Sequence, residues 1–194
     1  MPEGGRVIGG SCRGTRLQAP RGGPTRPLSD RVKEALFGAL EADGSLVGPF
    51  LDLFAGTGAA GIEALSRGAE RATFVEHDGG NCALIGANLR RTGLANGHVV
   101  RADALTFLRN GLPAGGAPYR ATLLDPPYGD PILVRAIELL ADASRGWLAR
   151  DAVVVAKHFW RDQPPAAVGM LHTVRQRRFG ETALTFYTPA EEAV

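Results

Sequence analysis

Residues 51–61, Leu51-Asp52-Leu53-Phe54-Ala55-Gly56-Thr57-Gly58-Ala59-Ala60-Gly61, read as a strand that enters a glycine turn and leaves as a helix. An apolar strand running into Gly-x-Gly-x-x-Gly opens a βαβ unit, whose crossover must return to a parallel strand. The rest of the chain obeys that constraint. Apolar, β-prone runs at 50–54, 72–76, 98–101, 121–125 and 152–156 alternate with helical spacing at 59–67, 81–92, 104–110 and 131–142. Such alternation predicts an α/β fold, a mostly parallel sheet covered by helices on both faces. The end differs. Runs at 171–178 and 183–187, joined by Phe179-Gly180-Glu181-Thr182, read as an antiparallel hairpin and bring the expected sheet to seven strands.

The 194 residues suit one domain with a full core. No apolar run approaches the ~18 residues of a membrane span, and no signal-like segment opens the chain, so a cytoplasmic location is expected. Cys12 and Cys82 are far apart and read as reduced thiols; no metal site is expected. Net charge is +2 but uneven, with +5 in residues 1–33. Glycines 9, 10 and 14 among β-prone pieces suggest an N-terminal β-hairpin extension over residues 1–27, ahead of a main domain at 28–194. Its arginines Arg6, Arg13 and Arg16, with Arg31 beyond, suit a phosphate backbone, although a solvated arginine-rich tail would have the same composition. Ser29 is placed to cap a first helix whose apolar positions are Val32, Ala35, Leu36, Ala39 and Leu40.

Charge selects the ligand of the glycine turn. A dinucleotide would bring a pyrophosphate there. Asp52, four residues before Gly56, and Asp125, at the end of a neighbouring strand, would repel it. They would attract the ammonium and sulfonium of S-adenosyl-L-methionine, each pair at about 4 Å and an effective dielectric of about 20 being worth roughly 4 kcal/mol before desolvation. Glu76, 20 residues after Gly56, is expected to accept from both ribose hydroxyls. Phe54, Ala55, Gly56 and Gly58 form the turn, and the glycines let the backbone approach the nucleoside. Asp103 with Ala104 is placed at the adenine amine, with a plain helix N-cap as its alternative. His77 flanks the adenine or is a simple loop residue.

Asp125-Pro126-Pro127-Tyr128 ends the strand at 121–125. Proline has no N–H to continue a ladder, so the backbone is fixed and its carbonyls are free. A carboxylate, a free carbonyl and a flat ring suit a planar group bearing an exocyclic amine. Two N–H bonds to Asp125 and the Pro126 carbonyl would pyramidalise the nitrogen, and Tyr128 would hold the base plane. That is catalysis by orientation and electrostatics.

Together, Arg6-Val7-Ile8-Gly9-Gly10, Arg13-Gly14, the segment 26–37, Asp52-Leu53-Phe54-Ala55-Gly56-Thr57-Gly58, Glu63-Ala64-Leu65-Ser66-Arg67-Gly68-Ala69 and Asp125-Pro126-Pro127-Tyr128 resemble the RsmD family of bacterial 16S rRNA guanine-N2 methyltransferases. The resemblance implies a Rossmann-like, class I S-adenosylmethionine-dependent methyltransferase acting on one guanine of small-subunit rRNA; a monomer acting within a small-subunit particle is expected. It implies that Arg26, Asp30 and Arg31 close over the methionine end and that the arm touches RNA. Family members often carry an acidic residue near the end of the fifth strand, where this chain has Lys157-His158, and Thr where it has Leu28. Neither departure is expected to touch the chemistry.

Trp147 is expected in the core and Cys82 as a small buried hydrophobe, while Phe159 and Trp160 either pack or line the base pocket. The rivals are an N6-adenine methyltransferase, a protein-glutamine methyltransferase, a dinucleotide-dependent reductase and a non-catalytic RNA-binding assembly factor.

Overall fold

The structure, a computed structural model, describes residues 3–20 and 28–190. In chain order its elements are β1 (Glu3–Arg6), β2 (Arg16–Gln18), α1 (Asp30–Ala42), β3 (Pro49–Leu53), α2 (Ala59–Ser66), β4 (Arg71–Glu76), α3 (Gly79–Thr92), β5 (Gly97–Arg101), α4 (Ala104–Arg109), β6 (Tyr119–Leu124), α5 (Ile132–Leu140), a 3-10 turn (Ala143–Arg145), β7 (Leu148–Phe159), β8 (Ala167–Val168), β9 (Leu171–Phe179) and β10 (Thr182–Pro189). The main sheet runs β5-β4-β3-β6-β7-β10-β9-β8. The first five positions are parallel, and β10, β9 and β8 are antiparallel. The Rossmann-like expectation holds, with one addition, the two-residue edge strand β8. No helix among the described residues is long and apolar enough to cross a membrane.

Strand order reverses between β3 and β6, which pair in parallel with Asp52 opposite Leu123 and Leu53 opposite Leu124. Ligand crevices of open α/β sheets form at such a switch point, outside the carboxyl ends of the strands. Both predicted motifs leave the sheet there. Every residue of β3 is buried, as a central parallel strand requires. One core lies under α1, α2 and α3 and contains Leu36, Phe37, Ile62, Phe74 and Ile85. The other lies under α4 and α5 and contains Leu108, Leu133, Ile137, Leu140 and Trp147. Gly61 lets α2 lie close to the sheet: a Cβ there would fall 2.3 Å from the Phe74 ring.

Two boundaries moved, the first for a tertiary reason and the second for a local one. β7 continues past the expected end at 156 through Lys157, His158 and Phe159, because β10 supplies their ladder partners. Polar side chains hid that extension. Helix α3 starts at Gly79 because Asp78 caps it, accepting from Asn81 N.

The arm is docked rather than a solvated tail. Val7 and Leu17 are buried in the first core. Glu63 accepts from Ile8 N at 2.9 Å and Gly9 N at 2.7 Å. Asn88 accepts from Gln18 N and donates to Gln18 O. The fully buried Lys33 donates to the Arg6 carbonyl at 2.6 Å, and burial lowers its pKa. Gly10 packs so near α2 that a Cβ would lie 1.7 Å from Ser66 O.

Candidate functional site

The turn after β3 starts with Phe54 at φ +70°, the one non-glycine left-handed residue among those described. Strain of this kind persists only where surrounding structure enforces it, and it gathers at ligand sites. The turn's N–H groups already have acceptors. Gly56 N donates to Glu76 Oε2 at 2.8 Å, Gly58 N to Ala55 O at 2.7 Å, and Gly61 N to Asp52 Oδ2 at 2.8 Å. In a pyrophosphate site such groups face the anion. Here two of the three meet carboxylates, so the turn repels an anion and suits a cationic ligand. The residues present fit S-adenosylmethionine better than a dinucleotide.

Asp52 is 2% exposed, and desolvation pushes its pKa up to about 8; the Gly61 bond opposes the rise, and Asp125 and Glu76 add to it. Its visible task is to brace the start of α2, where the cap position Gly58 offers no side chain. A second task, as a charge facing the ligand, is the one expected from sequence. Glu76 also accepts from Asp78 N at 2.8 Å and lies 3.0 Å from His77 Nδ1. Asp103 is the N-cap of α4: its Oδ1 accepts from both Thr106 N and Thr106 Oγ1 at 2.8 Å, and those bonds hold its carboxyl low. Both bonds use one oxygen, which leaves Oδ2 for an amine. Ala104 follows it, buried.

Across the switch point, Asp125 N donates to Leu53 O, tying the Asp-Pro-Pro-Tyr corner to β3. Lys157 changes the picture drawn from sequence. Its ammonium is bonded to Asp125 Oδ1 and sits 4.7 Å from the Tyr128 ring centroid. This position, expected to lie apart from the chemistry, is therefore in direct contact with the Asp-Pro-Pro-Tyr corner. β7 lies beside β6, so the two strand ends share one corner. Burial raises the Asp125 pKa, and Lys157 opposes it. Tyr128 is half exposed and its hydroxyl is shared with Thr182 Oγ1 at 2.7 Å. The sequence offered Thr182 only as the end of the Phe179-Gly180-Glu181-Thr182 turn, not as a partner of Tyr128. Pro126, Pro127, Tyr128 and Lys157 line a pocket of about 210 Å³ with Asp162 and Pro164.

Phe159 and Trp160 are partly exposed, and they extend the corner outward. Ring centroids run from Tyr128 to Phe159 at 6.2 Å and on to Trp160 at 6.1 Å. Arg178 lies 3.6 Å from the Trp160 centroid and Arg161 lies 4.9 Å away. Trp147, in contrast, is core, and its Nε1 donates to Leu108 O. Cys82 is half-buried rather than buried, its thiol against Glu76 O.

Arg6 and Asp30, assigned to RNA and cofactor respectively, bind each other at 2.8 Å. They line a cleft of about 360 Å³ with Arg13 and Glu34. Arg13 and Arg16 are exposed. Arg31 lies over the Phe179 ring at 5.8 Å. Arg26 lies outside the described residues.

Known proteins resemble this chain in sequence and in fold. A family model described as "Conserved hypothetical protein 95" matches residues 5–188. "Ribosomal RNA small subunit methyltransferase D" of Escherichia coli (strain K12) is 35% identical over 182 residues, 94% of this chain and 88% of that protein. The protein of the same name from Haemophilus influenzae is 33% identical over 157 residues, 77% of this chain and 76% of its own. The solved structure of Escherichia coli yhhF matches with a TM-score of 0.83 at 33% identity, covering 97% of this chain and 98% of that one. A solved structure of a hypothetical protein from Thermus thermophilus matches with a TM-score of 0.79 at 32% identity, covering 95% and 99%. Likeness over nearly the whole chain, at these identities, means that the chain belongs to the RsmD family of small-subunit ribosomal RNA methyltransferases.

Proposed function

We propose that this protein transfers a methyl group from S-adenosylmethionine to the exocyclic N2 amine of one guanine in 16S rRNA. The observation that carries the reading is the pairing of two loops at one switch point. One is a glycine turn whose N–H groups meet carboxylates; the other is an Asp-Pro-Pro-Tyr corner beside a half-exposed ring. The relatives named ribosomal RNA methyltransferases support RNA as the substrate class.

S-adenosylmethionine supplies an electrophilic methyl group on a sulfonium. Glu76 would take its ribose hydroxyls and Asp103 Oδ2 its adenine amine, while Asp52 and Arg26 would serve the methionine end; Asp30 is held by Arg6 at the arm instead. On the substrate side the amine of a purine is a poor nucleophile, because its lone pair is delocalised into the ring. Asp125 and the Pro126 carbonyl accept its two hydrogens and free that lone pair. Tyr128 stacks on the base, its hydroxyl held by Thr182. The methylated ammonium is acidic, so it sheds its proton without a strong base. RNA lies across the exposed Arg13 and Arg16 and the arginine-flanked Trp160, where cations meet phosphate and rings meet bases.

The test is methyl transfer to small-subunit rRNA from cells lacking the enzyme, with the product nucleoside identified. N2-methylguanine is expected, and Asp125→Ala should slow transfer on the order of 10³-fold with the fold intact. A product of N6-methyladenine, or a methylated protein, would replace this reading.

A further inference from the structure

We propose that Lys157 is a positioning residue of the methyl-transfer site: its ammonium holds Asp125 as an aimed carboxylate, binding Oδ1 and leaving Oδ2 to the target amine. The inference rests on the function proposed above and adds a residue that the family pattern does not supply.

Register brings the two side chains together. Leu124 pairs with Ala156 across β6 and β7, so Asp125 and Lys157 leave adjacent strand ends in step. Side chains alternate along a strand, and both follow residues on the opposite face. Both side chains are mostly out of solvent, at 22% for Asp125 and 13% for Lys157. A pair so placed is little screened by water or salt.

The corner is crowded with acidic groups. Asp52 approaches Asp125 from β3, and Glu76 at the end of β4 adds to the field on Asp52. From β7 comes Lys157, and within the same loop Tyr128. Burial alone drives Asp125 towards the protonated acid, and Lys157 is the group that opposes it. The protonation state matters to the chemistry. A carboxylate accepts on both oxygens, whereas a carboxylic acid carries a donor on one of them. The carboxylate can accept from an amine N–H, and so push density onto the nitrogen, while its other oxygen is engaged. The same ammonium lies over one face of Tyr128, so one cation fixes both the acceptor and the stacking ring.

Lys157→Met and Lys157→Arg test the assignment. Replacing one partner of a partly buried pair by an uncharged chain of similar length should move the Asp125 carboxyl midpoint, followed by ¹³C NMR, upward by about one pH unit or more. Lys157→Arg should return it close to the parent. In methyl transfer the acid limb of kcat/KM should move with it, with a deficit that grows to about tenfold at pH below both midpoints and closes as pH rises. An unchanged carboxyl midpoint in Lys157→Met would overturn the proposal, as would a loss of activity that is equal at every pH. The carboxyl titration needs no RNA. Failure of the parent enzyme to methylate rRNA would count against the proposed function, and the titration would still decide the role of Lys157.

Discussion

The two halves of the switch point are built differently. On the side of β3, β4 and β5, carboxylates hold backbone: Glu76 on Gly56 and Asp78, Asp52 on Gly61, Asp103 on Thr106. On the side of β6 and β7, side chains hold side chains: Lys157 on Asp125 and Tyr128, Thr182 on Tyr128, Arg178 on Trp160. The first half is rigid and internally satisfied, which suits a small ligand of fixed shape. The second is open and aromatic, which suits one base drawn from a long polyanion. Orientation on each side is set before any ligand arrives, by different means.

The contrast predicts separable damage. Glu76→Ala strips the acceptor from two backbone N–H groups and, on the proposed reading, from the ribose. Two charge-assisted bonds at about 1.5 kcal/mol each correspond to roughly 100-fold weaker S-adenosylmethionine binding by calorimetry, with RNA affinity unchanged. Trp160→Ala should do the reverse. Loss of one stacking platform, about 1–3 kcal/mol, should weaken RNA binding roughly tenfold in a fluorescence titration and leave cofactor affinity alone. If either variant damaged both ligands equally, the division would fail.

Asp52 gives the smallest effect and sharpens the comparison within the first half. Its folded pKa of about 8 lies above the 3.8 of an ordinary aspartate. The folded state therefore binds the extra proton, and the stability this contributes is full below about pH 4 and lost as pH rises through about 8. Asp52→Asn keeps an oxygen for Gly61 N and removes the titration. Melting curves between pH 5 and 9 should show a flatter pH dependence, with Tm near pH 9 higher by a few degrees relative to the parent. A slope equal to that of the parent would mean that Asp52 carries charge in the folded protein.

The cofactor half was legible in the sequence because its logic is local. The glycine turn, Glu76 at 20 residues' distance and the cap at Asp103 fall within or between consecutive βα units, where spacing along the chain fixes spacing in space. The substrate half was legible only in Asp125-Pro126-Pro127-Tyr128. Lys157 stands out in the sequence as a departure from the family but not as part of the site, because nothing along the chain says which strand lies beside β6. Thr182 and Arg178 reach the corner through the antiparallel pairing of β10 with β7 and β9, a register that composition does not reveal. The arm shows the same limit: its arginines were visible, but its docking on Glu63, Asn88 and Lys33 was not.

By itself the sequence determined the alternating fold, the switch-point loops, the charge that favours a cationic ligand and the family. Strand period, glycine turns and helix caps are short-range physics, written in neighbouring residues. Only the tertiary structure decided what faces Asp125. Strands distant in the chain become neighbours through sheet order and register, and a lysine that looks like a polar strand end becomes the counterion of the site.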